Sequence, residues 1–195
     1  MGNVYISDNL TVVGKLNPTN NLSTLGSPNY RWNEVYTSNS SITTSDLNLK
    51  ENIKPLSKKY IDFFRLLAPV SFTFKDGTSG RKHIGFISQN VEKAMYKVGL
   101  TDIDFAGFCK DIKTVVKYDN DGNETEEPDL DENGNMQYIY SLRYGEFTAL
   151  NTYMIQHAVQ KAEELENRTE YLEQENRRLR ERLEKLEILV SKYND

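Results

Sequence analysis

From Ile155 to Tyr193, apolar residues return every three or four positions, the spacing that keeps them on one stripe of a helix. A heptad fits the run, with a positions Ile155, Ala162, Thr169, Asn176, Leu183 and Val190 and d positions Ala158, Leu165, Leu172, Leu179, Leu186 and Tyr193. Such a stripe is too narrow to serve a globular core and predicts a coiled coil. Upstream the pattern is shorter in range. Ser57 is placed to cap a helix running to Leu67, with Tyr60, Ile61, Phe63, Phe64 and Leu67 on its apolar side and Ala68-Pro69 ending it. Val70 to Phe74 alternates like a strand, and His83 to Ile87 reads as another. Ser88 is placed to cap a second helix whose Val91, Ala94, Met95 and Val98 share one face, with Gly99 as its stop. A further hairpin is predicted between Lys113–Tyr118 and Gln137–Ser141, across an acidic, solvent-exposed excursion.

The first 44 residues follow neither period. They carry only four charged side chains, Asp8, Lys15, Arg31 and Glu34, while 20 of the 44 are Asn, Ser or Thr, which rules out a helix. Short apolar patches at Val4–Ile6, Leu10–Val13 and Glu34–Tyr36 alternate with turn signals at Gly14, Asn17-Pro18 and Gly26-Ser27-Pro28. They predict a thin β-structure completed by other chains, the alternative being a disordered linker. The expected architecture is α+β. A β-rich, nearly uncharged stem occupies residues 1–44, a small mixed globular domain residues 45–152, and a long parallel coiled coil residues 153–195.

Charge decides how the coil assembles. In a parallel, in-register bundle each g residue faces an e residue of the neighbour, pairing Lys161 with Glu166, Arg168 with Glu173, Glu175 with Arg180 and Arg182 with Glu187. All four pairs have opposite signs. Each is worth only a few tenths of a kcal/mol, so they specify orientation and register more than stability. Asn176 at an a position is common in two-stranded coils. Arg182-Leu183-Glu184-Lys185-Leu186-Glu187, however, resembles the Arg-apolar-x-x-apolar-Glu pattern of short trimeric coils. The reading is therefore a homotrimer with Leu165, Leu172, Asn176, Leu179, Arg182, Leu183, Leu186, Glu187 and Val190 at the interface.

Composition narrows the remaining classes. The hydrophobic fraction is 37 %, low for one compact core and consistent with an elongated chain. A net charge of −5 and no basic stripe argue against a nucleic-acid partner. No apolar run approaches a bilayer span, so no membrane partner is expected. The lone Cys109 cannot form an intrachain disulfide, and the folding compartment can be reducing. The Met1-Gly2 start leads straight into strand-like sequence and reads as a fragment from the end of a longer protein.

Most chemical constellations are missing. His83 and His157 lack partners at metal-ligand spacing and read as structural. Asp129-Leu130-Asp131-Glu132-Asn133-Gly134 opens like a calcium loop, but position 12 is Tyr140 where a bidentate Glu is required, so an acidic turn is expected. No glycine loop precedes a Gly-Lys-Ser/Thr, and no cofactor is expected. What remains is Thr43-Thr44-Ser45-Asp46-Leu47-Asn48-Leu49-Lys50, at the border of the uncharged zone.

This segment resembles the junction of the intramolecular chaperone auto-processing domains found at the ends of endosialidase tailspikes, phage neck appendages and long tail fibres, and in the myelin regulatory factor. In that family a Ser five residues before a Lys forms a dyad, and the bond before the Ser is cut. Ser45 and Lys50 have that spacing. Leu25-Gly26-Ser27-Pro28-Asn29-Tyr30-Arg31-Trp32-Asn33-Glu34-Val35-Tyr36 looks like the stretch that precedes the cut in phage fibres. Leu67-Ala68-Pro69-Val70-Ser71-Phe72-Thr73-Phe74 and His83-Ile84-Gly85-Phe86-Ile87-Ser88-Gln89-Asn90-Val91-Glu92 look like its core strand and Gly-Phe-Ile-Ala-Gln-Glu-Val-Glu motif. The chain departs from that motif at Ser88 and Asn90. The match runs from about residue 25 to 175 and is poor from Thr101 to Gln137.

The resemblance implies catalytic residues Ser45 and Lys50 and a scissile bond between Thr44 and Ser45. A serine hydroxyl needs a base. A lysine serves when a dry setting disfavours its charged form, and Leu47, Leu49 and Ile53 are expected to supply one. Whether an ester at Ser45 lies on the path is left open. The alternative for this pair is a turn cap and a solvated charge. The implied function is a single-turnover, self-cleaving chaperone that trimerises an upstream fibre or spike chain, its folding client, in the host cytoplasm and leaves the mature upstream part in the virion tail. The rival is a structural or receptor-binding trimeric fibre tip that stays whole.

Overall fold

The computed structural model describes residues 6–20, 22–39, 42–75, 80–118 and 124–193. The chain divides into two units, Met1–Thr44 with Asp111–Ile139, and Ser45–Lys110 with Tyr140–Asp195.

The second unit holds the hydrophobic core. Helix α1 (Lys58–Leu66) buries Ile61 and Phe63, and helix α2 (Ser88–Lys97) buries Val91, Ala94 and Met95, as their periodicities predict. Neither predicted serine cap forms a side-chain hydrogen bond. Ser57 occupies the N-cap of α1 but serves through its carbonyl, which accepts from Tyr60 N at 3.0 Å. At α2 the cap is Ile87, whose carbonyl takes Asn90 N and Val91 N at 2.9 and 3.1 Å, so Ser88 is already the first helical residue. Gly99, with φ of 73°, ends α2 in the left-handed region that favours glycine. Lys59 Nζ then donates to its carbonyl at 2.9 Å, joining α1 to the end of α2.

Strand β1 (Val70–Phe72) pairs antiparallel with β2 (His83–Gly85), Ser71 opposite Ile84. Beyond α2, Leu100, Phe105 and Phe108 complete the core with Phe147 and Leu150. Those last two residues lie in the first turns of helix α3 (Glu146–Tyr193), which therefore starts inside the globular core and runs on unbroken through the heptads. Edge-on ring pairs link Phe63 to Phe105 and Phe105 to Phe147, at centroid distances of 5.3 and 5.1 Å. The Gly85-Phe86 dipeptide has a packing reason. A Cβ at Gly85 would collide with the Tyr144 phenol, whose oxygen accepts from Phe86 N at 3.1 Å.

The predicted hairpin is corrected. Strand β4 (Thr114–Tyr118) pairs antiparallel with β5 (Glu124–Pro128), and β6 (Tyr138–Leu142) pairs with β3 (Phe108–Ile112). The acidic excursion supplies a strand of its own, and two of its carboxylates meet hydrogen-bond donors on β4. Lys117 Nζ reaches Glu127 at 2.5 Å and Thr114 Oγ1 donates to Glu126 at 2.8 Å. Beside it, the predicted acidic turn has Asp131 accepting from Asn133 N, Asn135 N and Asn135 Nδ2 at 2.9, 2.8 and 3.1 Å. The hydrogen bonds from Asn135, first its backbone and then its side chain, hold the Asp131 carboxyl below its ordinary range.

The β-rich stem is expected to be completed by other chains. Among the described residues up to 44 there is no strand at Leu10–Val13 or Glu34–Tyr36, while Val4 and Tyr5 lie outside the described residues. Strands this short and polar have no partner within one chain. All described side chains here are exposed except Gly26 and Asn29. Asn29 sits in a turn closed by Ser27 N to Tyr30 O at 2.9 Å, and its Oδ1 accepts from Thr114 N at 3.1 Å.

Candidate functional site

The division of the chain falls at the peptide between Thr44 and Ser45. Directly after it the backbone makes one 3₁₀ turn, Leu47–Leu49, in which Leu49 N donates to Asp46 O and Lys50 N to Leu47 O, both at 3.1 Å. The cap of this turn is Asp46, not Ser45. Asp46 Oδ1 accepts from Asn48 N at 2.9 Å and from Asn48 Nδ2 at 3.0 Å. Asn52 follows with φ of 54°, a conformation open to Asn among the L residues.

The turn brings the chain back on itself so that Lys50 Nζ donates to Ser45 Oγ at 2.7 Å. That hydroxyl is thereby the free end of a direct serine–lysine contact. Proton abstraction needs the same contact with its direction reversed, Ser45 Oγ–H donating to a neutral amine.

The expected apolar enclosure is absent from the single chain. Ser45 and Lys50 are exposed, and Leu47, Leu49 and Ile53 are 70, 72 and 62 % exposed. The reason is local: a one-turn segment has no opposite wall of its own against which to bury three apolar side chains. Downstream, the segment is tied to the core where Tyr153 Oη on α3 donates to Leu56 O at 3.4 Å.

Other polar groups in this unit serve the fold. Thr101 N and Oγ1 both donate to Asp104 at 2.7 Å, and these bonds, the hydroxyl's first, lower the Asp104 pKa. Tyr60 Oη donates to Asp104 O at 2.6 Å, and burial, then the Asp104 charge, pushes its phenol up. Lys110 bonds to Glu92 at 2.9 Å, which holds its ammonium protonated and ties β3 to α2. An open pocket of about 330 Å³ between Leu56, Tyr60, Phe105 and Leu150 contains neither Ser45 nor Lys50.

The expected interface residues lie along α3 of the single chain. Leu165, Leu172, Leu179, Leu183, Leu186 and Val190 are all exposed, as are Asn176, Arg182 and Glu187. Within one helix Lys161 pairs with Glu164 at 2.7 Å and Arg178 with Glu175 at 3.5 Å. Sequence reasoning missed Asp46 as the cap, although a Ser-Asp pair two residues before Asn48 carries the signal for a side-chain-closed turn. It also missed Tyr144, for which no local signal exists. No helix among the described residues is long and apolar enough to cross a membrane.

The chain is similar to several known proteins. A curated relative, the capsule K3-specific depolymerase 1 of Klebsiella phage KP32, is 29 % identical over 86 residues, which cover 42 % of this chain and 10 % of that protein. The chain thus matches about a tenth of the length of that relative. Among solved structures, the carboxy-terminal domain of the bacteriophage T5 L-shaped tail fibre with its intramolecular chaperone domain superposes with a TM-score of 0.52 at 22 % identity, covering 74 % of this chain and 36 % of that one. It shares the fold. A crystal structure of a novel intramolecular chaperone covers 60 % of this chain and 99 % of its own at 27 % identity, with a TM-score of 0.45. Residues 45–100 match the model of the Peptidase_S74 family, described as chaperone of endosialidase. The segment that begins at Ser45 and carries the serine–lysine contact, α1, β1, β2 and α2 is thus the part of the chain that is similar to the endosialidase chaperones.

Proposed function

We propose that this chain is an intramolecular chaperone that trimerises and folds an upstream phage tail spike or fibre and then releases itself by cutting between Thr44 and Ser45. The observation that carries the reading is the 2.7 Å contact between Lys50 Nζ and Ser45 Oγ, at the first residue of the family segment. Ser45 Oγ attacks the Thr44 carbonyl carbon while Lys50 takes the hydroxyl proton. The Thr44–Ser45 C–N bond breaks, Lys50 returns the proton to the Ser45 amine, and an ester joins Thr44 to Ser45 Oγ. Water then hydrolyses that ester, giving a Thr44 carboxylate and restoring the hydroxyl. Each chain does this once.

Lys50 acts as a base only in a dry setting, which the exposed Leu47, Leu49 and Ile53 provide once neighbouring copies cover them. Trimerisation through α3 brings those copies together, so a cut in an unassembled chain is avoided. Folding takes place in the host cytoplasm, and the upstream product remains in the virion tail. Holding three chains in register lowers the entropic cost of pairing short polar strands that have no partner within one chain.

Intact mass of freshly folded protein tests the reading. Fragments of residues 1–44 and 45–195 are expected from the wild-type chain, and only full-length chain from Ser45→Ala and Lys50→Ala. Lys50→Arg also stays whole, because a guanidinium does not release its proton near neutrality. Hydroxylamine added during folding should convert the new Thr44 end to a hydroxamate if the ester forms. A full-length wild-type mass supports the fibre tip that stays whole, and wild-type rates in either alanine variant exclude the dyad.

A further inference from the structure

The turn that joins Ser45 to Lys50 carries two side chains that the chemistry above does not use, Asp46 and its partner Asn48. Five extended residues span about 17 Å, so the 2.7 Å contact exists only while the chain between them is folded back. Nothing in the hydrophobic core enforces that folding, since no residue of Leu47–Leu49 is buried. A single turn is also poor at sustaining itself, because it fixes several dihedral angles for one or two hydrogen bonds. Here two backbone bonds, into Asp46 O and Leu47 O, are supplemented by two more into one carboxylate oxygen, Asp46 Oδ1. Half of the hydrogen bonds that close the turn therefore end on the Asp46 side chain.

We propose that Asp46 is a positioning residue for self-cleavage: by accepting the Asn48 hydrogen bonds it closes the turn that holds Lys50 on Ser45. The inference rests on the serine–lysine reading. Asp46 does not touch the reacting atoms, and it works as a hydrogen-bond acceptor, not as a charge. An asparagine keeps the acceptor oxygen and loses the charge, whereas an alanine loses both.

The test follows cleavage of the full chain by intact mass over time in wild type, Asp46→Ala and Asp46→Asn, with trimer content and Tm measured on the same samples. Losing a cap of this kind corresponds to about a fivefold drop in the population of the closed turn, so Asp46→Ala should cleave about fivefold more slowly. Trimer content and Tm should stay at wild-type values, because the turn is exposed. Asp46→Asn should restore most of the rate. An Asp46→Ala chain that cleaves like wild type overturns the positioning role while leaving the dyad standing. So does an Asp46→Asn chain as slow as the alanine variant, which would assign the effect to charge. A wild-type chain that stays whole overturns the self-cleavage reading itself, and the positioning role with it.

Discussion

Helices α1 and α2 and the distal part of α3 carry the same kind of message, apolar residues at helical spacing, and a single chain treats them in opposite ways. Phe63 and Met95 are fully buried and Val91 is 2 % exposed, whereas Leu179 is 45 % and Leu183 58 % exposed. The difference lies in what surrounds each stripe. α1 and α2 pack on one another and on the first turns of α3, with Phe105 and Phe108 closing the core. From Ile155 onward, α3 has an apolar stripe as regular as theirs and exposed along its length. A hydrophobic period thus states that a face needs a partner without saying whether the same chain provides it. The opposite-sign g and e residues carry the second half of the message, since their signs would also match across a parallel, in-register neighbour.

The comparison breaks most visibly if charge is placed in the exposed stripe. Leu179→Asp with Leu183→Asp puts two carboxylates per chain into the seam of the proposed trimer, a cost of several kcal/mol per layer even after relaxation. Sedimentation should show monomers at low micromolar concentration, while near-ultraviolet circular dichroism of the aromatic core stays close to wild type. A variant that remains trimeric would mean that α3 is not the assembly element.

The converse change strikes the buried stripe. Phe63→Ala removes a fully buried ring that contacts Phe105 edge-on, and should destabilise the core by about 3–5 kcal/mol. Thermal unfolding should then split, the core melting well before the coil. A single transition shifted to lower temperature would show that the two regions fold as one cooperative unit, and an unshifted one would deny Phe63 its weight in the core.

A smaller effect tests the seam where core and coil meet. Gly85→Ala drives a methyl group into the Tyr144 phenol at the base of α3 and should cost about 1–3 kcal/mol. Adding Tyr144→Phe should recover part of that loss by removing the colliding oxygen, at the expense of the bond from Phe86 N. A double-mutant cycle on Tm measures the coupling, and strict additivity would separate Gly85 from α3.

The sequence by itself determined the local features. α1, α2 and the heptad face of α3 lie where periodicity put them, Gly99 ends α2 as expected, and the five-residue spacing of Ser45 and Lys50 is met by a single turn. These rest on hydrogen bonds between residues a few positions apart, so a short window contains their causes. Only the tertiary structure decided which strand pairs with which. Val115 and Val116 could face either of two later segments, and they pair with β5, where Lys117 meets Glu127 and Thr114 meets Glu126. It also decided that α3 begins at Glu146, because Phe147 and Leu150 complete the core and draw the helix back past the start of the heptads. It further decided that Leu47, Leu49 and Ile53 stay exposed beside Ser45 and Lys50, since burial needs a second surface and the order of residues within one segment does not show where that surface comes from.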